Sequence, residues 1–327
     1  MSHEAASDAV LKVGMVGLDT SHGVAFTKIL NDTSDDNHVP GARVVGAVTA
    51  FSPDIEASVN RVDEYVAVMR DRFGIDMVPT IEELCQRVDA VMIVSLDGRA
   101  HLEQARQVIA AGKPLFIDKP MAASLRDVME ILRLAREASV PVFSASAYRF
   151  YPSLLAMKKA AIGEVRSAIS YGPAYLEPHH PDLFFYAIHG VEGLFTVMGR
   201  GCESVTRAHT ADGDVVTGIW SDGRLGVFHG LRTKAIPHKV VVFGSQGFVE
   251  QEPRDQPLSR FGSQEQVGSG PEADNYSALL RAIVEFFRSG VSPVRAEEMI
   301  EMFAFMEAAD ESKRRGGMPV RLSEMMG

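Results

Sequence analysis

The sequence is poor in cysteine and has no long apolar run. Cys85 and Cys202 are its only cysteines, so a disulfide framework is excluded and a reducing cytoplasm is the expected location. No segment approaches the roughly 18 consecutive apolar residues that a membrane span needs, so we predict no membrane helix. Residues 1–12 lack a basic segment followed by an apolar core, and we therefore expect no secretion signal.

Basic residues are also in deficit. The chain has 33 Lys and Arg against 43 Asp and Glu, a net charge of −10, which disfavours nucleic acid and anionic membranes as partners. Apolar residues at 46% and charged residues at 23% are ordinary for globular proteins, which excludes a disordered, collagen-like or coiled-coil chain. A length of 327 residues predicts two domains, or one large α/β domain.

The first half of the chain alternates between two kinds of segment. Short apolar runs predict buried strands, because each is too short for a helix; they lie at 13–18, 44–48, 90–96, 115–117 and 140–145. Amphipathic segments between them predict helices, one of which starts at Ser124 with Asp127 as the partner in a capping box. Uniformly apolar strands separated by helices predict a parallel sheet with helices on both faces, which binds ligands at the carboxyl ends of its strands.

The second half has longer strands in which polar and apolar residues alternate. Asp222-Gly223 is a hairpin signal between two such strands, and residues 239–243 and 247–250 predict a further hairpin. These antiparallel elements place a domain boundary near Ser146, giving a parallel α/β domain at 1–146 and an α+β domain at 147–327. Residues 251–273, rich in Pro, Gln, Gly and Ser, predict a loop, and two helices are expected to close the chain.

A glycine-containing turn follows the first predicted strand. A dinucleotide-binding turn needs glycines for tight bending and for the close approach of a pyrophosphate to a helix N-terminus. If Gly17 is the first glycine of Gly-x-Gly-x-x-Gly, Asp19 and His22 replace the second and third. A carboxylate at that point would repel pyrophosphate, whereas the hydroxyls of Thr20 and Ser21 would donate hydrogen bonds to it.

The end of the second predicted strand lacks the acidic residue that binds the adenosine ribose in many such folds. Thr49 and Ala50 lie there, and the first carboxylate after them is Asp54. No arginine for a 2′-phosphate is adjacent either. Both NAD and NADP therefore stay open as cofactors.

Residues 110–120 contain a more specific pattern, Ala-Ala-Gly-Lys-Pro-Leu-Phe-Ile-Asp-Lys-Pro. Its end, Asp118-Lys119-Pro120, resembles the Glu-Lys-Pro signature of the Gfo/Idh/MocA oxidoreductases. Residues 94–103 resemble the strand, loop and helix start beside the cofactor in that family, and 148–152 resemble its crossover into the second domain. With Gly-Glu-Val at 163–165 and the tail from 276 to 322, the resemblance covers almost the whole chain.

This resemblance implies an N-terminal Rossmann-type domain that binds NAD or NADP, and a C-terminal domain with an open, mostly antiparallel sheet. One face of that sheet often forms an oligomer interface in the family, which implies a homodimer or homotetramer. Lys119 is implied to lie near the nicotinamide and the reacting substrate carbon. The residues expected at the cofactor are Gly14, Gly17, Leu18, Asp19, Thr20, Ser21, His22, Thr49, Ser95, Leu96, Asp97, His101 and Lys119.

The same resemblance points to His189 as the acid/base. In the family an Asp-x-x-x-His motif opens a helix of the second domain, and its histidine usually has this role. Here the residue four before His189 is Phe185, so the orienting carboxylate is missing, and the adjacent Tyr186 is an alternative proton donor.

The chemistry implied is reversible hydride transfer between a nicotinamide and a hydroxyl carbon of a sugar, cyclitol or similar polyol. His189 would take the hydroxyl proton, Lys119 would stabilise the developing charge, and Asp118 would orient Lys119. Arg149 and either His179 or His180 would hold substrate oxygens. We predict no metal, because a Pro-His-His-Pro loop lacks the helical spacing that aims two imidazoles at one ion.

Two other interpretations stay open. One is a non-catalytic or sensory family member with weakened dinucleotide binding, which Asp19, His22, the absent ribose acid and Phe185 favour. The other is a redox-assisted lyase or glycosidase that retains the cofactor and shows no net oxidation. Lys119 and His189 favour the oxidoreductase, because a scaffold alone has no need of both.

Overall fold

A computed structural model describes residues 9–233, 236–251, 259–261 and 276–326. The first half forms a six-stranded parallel sheet in the order β3-β2-β1-β4-β5-β6. Its strands are β1 (Leu11–Val16), β2 (Ala42–Val48), β3 (Asp76–Met77), β4 (Ala90–Ile93), β5 (Leu115–Ile117) and β6 (Val142–Ser144). The helices between them are α1 (Ser21–Asn31), α2 (Glu56–Ala67), α3 (Ile81–Arg87), α4 (Gly98–Ala110) and α5 (Leu125–Glu137). The predicted parallel α/β architecture is confirmed, with the strand order of a Rossmann fold.

The second half forms an eight-stranded sheet in the order β13-β12-β11-β7-β10-β9-β8-β14. The strands are β7 (Val165–Pro173), β8 (Cys202–His209), β9 (Gly213–Trp220), β10 (Leu225–Leu231), β11 (Lys239–Gly244), β12 (Gly247–Glu250), β13 (Ser259–Phe261) and β14 (Val320–Arg321). Only β7 and β10 pair in parallel, so the predicted open, mostly antiparallel sheet is confirmed. The remaining helices are α6 (Pro152–Met157), α7 (Ile188–Met198), α8 (Ser277–Ser289), α9 (Ala296–Arg314) and α10 (Leu322–Met326).

The last long helices tie the two sheets together. Phe286 of α8 packs against Phe143 of β6 with ring centroids 4.6 Å apart. In α9, Glu307 accepts a hydrogen bond from the backbone N–H of Leu125, and Ser312 accepts one from the N–H of Arg207 in β8. The buried apolar side chains of both halves form one continuous core. The domain boundary near Ser146 stays a prediction.

Several predicted strand and loop limits were wrong. The runs 13–18 and 90–96 extend past their strands, because β1 ends at Val16 before Gly17 takes a positive φ of 87°, and β4 ends at Ile93. The run 140–145 is a strand only at Val142–Ser144. Within the predicted loop 251–273, Ser259–Phe261 pairs with β12, while 252–258 and 262–273 lie outside the described residues. The Ser124 cap is confirmed, since its hydroxyl accepts the N–H of Asp127.

The structure also bears on membrane insertion. In the part of the chain that the structure describes, no helix has both the length and the apolar character needed to cross a bilayer.

We predict that Gly17→Ala destabilises the fold much more than Gly112→Ala. Both glycines have a positive φ, but a Cβ at Gly17 would lie 2.5 Å from the backbone nitrogen of Ser95, whereas nothing lies within 4 Å of one at Gly112. Gly112→Ala should cost about 1 kcal/mol of unfolding free energy. Gly17→Ala should cost at least about 2 kcal/mol more, because backbone must move. Equal losses in urea unfolding would contradict the close approach.

Candidate active site

The turn after β1 leads into the capped N-terminus of α1. Gly17 donates its N–H to Val48 of β2, and Thr20 caps α1 by accepting the N–H of His22. The Thr20 hydroxyl donates to the carbonyl of Val94, which follows β4. Ser21, the first residue of α1, is exposed. The turn therefore directs the N-terminus of α1 toward the carboxyl edge of the sheet, where helix N–H groups attract anions.

The carboxylate of Asp19 faces the protein interior and is fully buried. It accepts a hydrogen bond from the Ser58 hydroxyl at 2.7 Å and one from the backbone N–H of Leu96 at 2.9 Å. Burial raises the pKa of Asp19, and these two donors act in the opposite direction. Asp19 thus ties together the segments that follow β1, β2 and β4, with both oxygens engaged by protein.

A charged network lies where β2 and β4 end. Asp97 caps α4 and accepts hydrogen bonds from the Ser52 hydroxyl at 2.6 Å and from Arg99. Arg99 also binds Asp54 through both terminal nitrogens. Burial alone would raise the pKa of Asp97, but the hydrogen bonds from Arg99 and Ser52 hold it below its usual value. Thr49, predicted at the cofactor, is exposed and directly follows β2.

Other residues predicted at the cofactor contact mainly protein. His101 is fully buried, with its Nδ1 and Nε2 each 2.9 Å from a carbonyl oxygen, those of Pro120 and Ser95. The Ser95 hydroxyl donates to Gln104. Leu18 is fully buried, and a Cβ at Gly14 would meet Leu84. These contacts fix the loops around the site.

Asp118 and Lys119 follow β5. Asp118 is 1% exposed, and its Oδ2 lies 2.6 Å from Nδ1 of His22 and 3.8 Å from Nζ of Lys119. Burial would raise the pKa of Asp118, but the adjacent imidazole of His22 and the ammonium of Lys119 hold it below its usual value. Among the described residues, Oδ1 of Asp118 has no hydrogen-bond partner. Asp118 therefore joins Lys119 to the first turn of α1 and keeps one buried acceptor free.

His189, at the start of α7, is held by a serine rather than a carboxylate. Its Nδ1 lies 2.7 Å from Oγ of Ser146, whose backbone N–H donates to buried Glu192. Burial, together with the nearby positive charge of Lys119, moves the pKa of His189 well below its usual range. His189 is therefore a neutral imidazole close to Lys119.

Aromatic rings surround His189. The ring of Tyr186 stands edge-on at 5.0 Å between centroids, and the ring of His238 lies at 5.4 Å. The ring centroids of Tyr175 and Tyr186 are 3.8 Å apart, and those of Tyr148 and His238 are 5.5 Å apart. Tyr186 is thus beside the predicted base, as its role as an alternative proton donor requires.

The structure does not bring the three predicted substrate ligands together. Arg149 is held by Glu192 and Glu298, each at 2.7 Å. His179 is exposed and pairs with Glu177, whereas His180 is buried beside Phe185. Within the described ranges, no three His, Cys, Asp or Glu side chains converge as a metal site would require.

The sequence analysis missed three residues of this site, Ser146, Glu192 and His238. Ser146 lies just beyond the carboxyl end of β6, so the rule that ligands bind at strand ends offered a signal for it. Glu192 lies three residues after His189 in α7, so helical spacing offered a signal for it. His238 had no such signal, because only a tertiary contact brings it near His189.

The sequence is similar to a family model and to a reductase of known name. The sequence model of GFO_IDH_MocA, an oxidoreductase family with an NAD-binding Rossmann fold, matches residues 11–146. A 1,5-anhydro-D-fructose reductase from Ensifer adhaerens is 33% identical over 233 residues, which are 62% of this chain and 70% of that protein.

Solved structures share the fold. An oxidoreductase from Agrobacterium radiobacter in complex with NAD+, L-tartaric acid and magnesium has a TM-score of 0.79 at 16% identity, covering 97% of this chain and 100% of that one. The apo scyllo-inositol dehydrogenase from Lactobacillus casei has a TM-score of 0.73 at 16% identity, covering 97% and 99%. The chain belongs to the Gfo/Idh/MocA family of oxidoreductases.

Proposed function

We propose that this protein transfers a hydride between a nicotinamide cofactor and a hydroxyl carbon of a sugar, cyclitol or similar polyol. The observation that supports this most directly is Lys119 at the carboxyl edge of the parallel sheet, 3.8 Å from buried Asp118, where its charge helps to keep the buried His189 neutral. A cation beside a neutral imidazole suits an alcohol that must lose a proton while its oxygen gains negative charge.

The residues present fit a dinucleotide. The N-terminus of α1, with Thr20 and Ser21, would hold the pyrophosphate, and Asp19 is no obstacle because its carboxylate is bonded inward. The free buried Oδ1 of Asp118 offers an acceptor near Lys119 for a donor on the ligand. When bound, the nicotinamide supplies or accepts the hydride.

His189 would act as the proton acceptor in the oxidation direction. If its Nδ1–H donates to Ser146, its Nε2 presents a lone pair to the substrate hydroxyl. Lys119 would donate a hydrogen bond to the same oxygen, and Asp118, bonded to His22, would hold Lys119 at that position. Arg149 would act on the site indirectly, through Glu192 and Ser146.

The second candidate is a family member that does not bind dinucleotide tightly. The observation that favours it is the network at the ends of β2 and β4, where Ser52, Asp54, Asp97 and Arg99 already satisfy one another. A cofactor that needs the adenosine side of the site would compete with these bonds.

Cofactor titration separates the two candidates. We expect NADH binding with enhanced nicotinamide fluorescence in the wild type and in Lys119→Met. Turnover of 1,5-anhydro-D-fructose, myo-inositol or another accepted polyol should fall at least about a thousandfold in Lys119→Met, because the charge on the developing oxyanion loses its partner. Lys158→Met, at an exposed lysine directly after α6, is the matched control and should behave as wild type. Absence of binding at millimolar cofactor would instead support the second candidate.

We also expect NADH to bind more tightly than NADPH. A 2′-phosphate would add negative charge near Asp54 and Asp97, while Arg99 is already bonded to both. Asp54→Asn removes one carboxylate and frees Arg99 from one of its partners. The ratio of the Kd for NADPH to the Kd for NADH should therefore decrease about three- to tenfold. Asp63→Asn makes the same charge change on the exposed face of α2 and should not shift the ratio. A wild-type preference for NADPH would refute this placement of the ribose.

The pH profile should report the low pKa of His189. Because burial and nearby charges lower this pKa, the imidazole stays neutral as the pH falls below 6.5, the ordinary value for histidine. In the oxidation direction, kcat/KM should therefore decrease on the acid side only below pH 6.5. Circular dichroism over the same pH range should confirm that the protein stays folded. An acid limb centred at or above pH 6.5 would show that His189 is not the titrating base.

A further inference from the structure

The imidazole of His238 packs directly against a glycine of the neighbouring strand. It lies just before β11, next to the neighbouring strand β7. A Cβ at Gly172 of β7 would lie 2.2 Å from Nδ1 of His238, so any other residue at 172 would displace the imidazole. Since Gly172 has no positive φ, the close approach of the ring is the reason for glycine here.

Both ring nitrogens of His238 are buried, and neither has a hydrogen-bond partner within the described ranges of the chain. Burial lowers the pKa of His238 to about 4, so the ring is neutral near pH 7 and presents one N–H donor and one lone pair. Buried polar atoms in native proteins are almost always paired, so two unpaired nitrogens on one ring indicate a partner that the described residues do not supply, and a bound ligand is such a partner.

The surroundings of His238 show what kind of partner fits. Its ring lies 5.4 Å from that of His189 and 6.0 Å from that of Tyr186. Tyr148, 5.5 Å away on another side, has its hydroxyl bonded to Gln251 and so offers His238 only its ring. A neutral imidazole among aromatic rings suits a neutral hydroxyl, which both donates and accepts and can therefore pair with either tautomer. A carboxylate only accepts hydrogen bonds, so it could pair with the N–H of the neutral ring but never with its lone pair.

We propose that His238 binds the hydroxyl on the carbon next to the reacting carbon, and so selects 1,2-diols and their α-hydroxycarbonyl counterparts. This inference rests on the proposed function, which places the reacting oxygen at Lys119 and His189. With the two imidazoles side by side, one hydroxyl of a vicinal pair meets His189 and its neighbour meets His238. His238 is then a substrate-binding residue that sets specificity and takes no proton from the reacting oxygen.

His238→Phe tests this by removing both nitrogens while retaining a ring. With myo-inositol, scyllo-inositol and 1,5-anhydro-D-fructose as probes, KM should rise about tenfold, the effect of losing one neutral hydrogen bond. The Kd for NADH should stay within twofold. His238→Asn, which retains a donor and an acceptor, should recover part of the loss, and His209→Phe, at an exposed histidine of β8, should match wild type. A merely structural role would not separate Asn from Phe in this way. Unchanged KM in His238→Phe would overturn the inference.

A second readout works without turnover and in the unaltered chain. In nitrogen-15 histidine spectra of wild-type protein with NADH, which cannot oxidise them, myo-inositol and scyllo-inositol should shift the His238 resonances, and cyclohexanol should not. These resonances are identified by their loss in His238→Phe. If none of the polyols shifts them, or cyclohexanol shifts them equally, the inference is wrong. A shift without turnover by any cofactor would overturn the proposed hydride transfer and leave His238 as a polyol ligand. Turnover without a shift of the His238 resonances would support the proposed hydride transfer and overturn the role of His238 as a polyol ligand.

Discussion

One buried carboxylate, that of Asp118, organises the candidate active site. It lies directly after β5, is almost fully enclosed, and contacts His22 from the turn after β1 and Lys119 from its own strand end. A buried carboxylate is costly unless cations and donors surround it. The fold therefore keeps His22 and Lys119 beside Asp118, and this requirement fixes where Lys119 meets the rest of the site.

The position of Lys119 beside Asp118 also affects a histidine in the second half of the chain. Lys119, held at this edge, carries a positive charge that disfavours protonation of His189 in α7, an imidazole that is already buried. Ser146 takes the place of the carboxylate that the family places behind this histidine, and Glu192 and Arg149 support Ser146 in turn. The site thus combines a neutral imidazole, a cation beside Asp118, and an uncharged serine hydroxyl next to the imidazole.

The sequence analysis succeeded where the signal is local. Short apolar runs predicted every strand from β4 to β6 within a few residues, Ser124 predicted a helix start, and the residues around Lys119 identified the family. It failed where the outcome depends on tertiary contacts. The inward bonding of Asp19 depends on Ser58 and Leu96, which are 39 and 77 residues away along the chain. Ser146 lies 43 residues from His189, and no spacing rule connects them.

The central claim is that Lys119 and His189 serve hydride transfer between a polyol carbon and a nicotinamide. Its most direct test is to incubate the protein with NAD+ and myo-inositol, scyllo-inositol or 1,5-anhydro-D-glucitol deuterated on carbon, and to analyse the recovered nicotinamide by mass spectrometry. The account predicts deuterium on the nicotinamide ring with wild-type protein and none above background with Lys119→Met. No deuterium on the ring with any of the three polyols, in wild-type protein shown to bind both ligands, would contradict it.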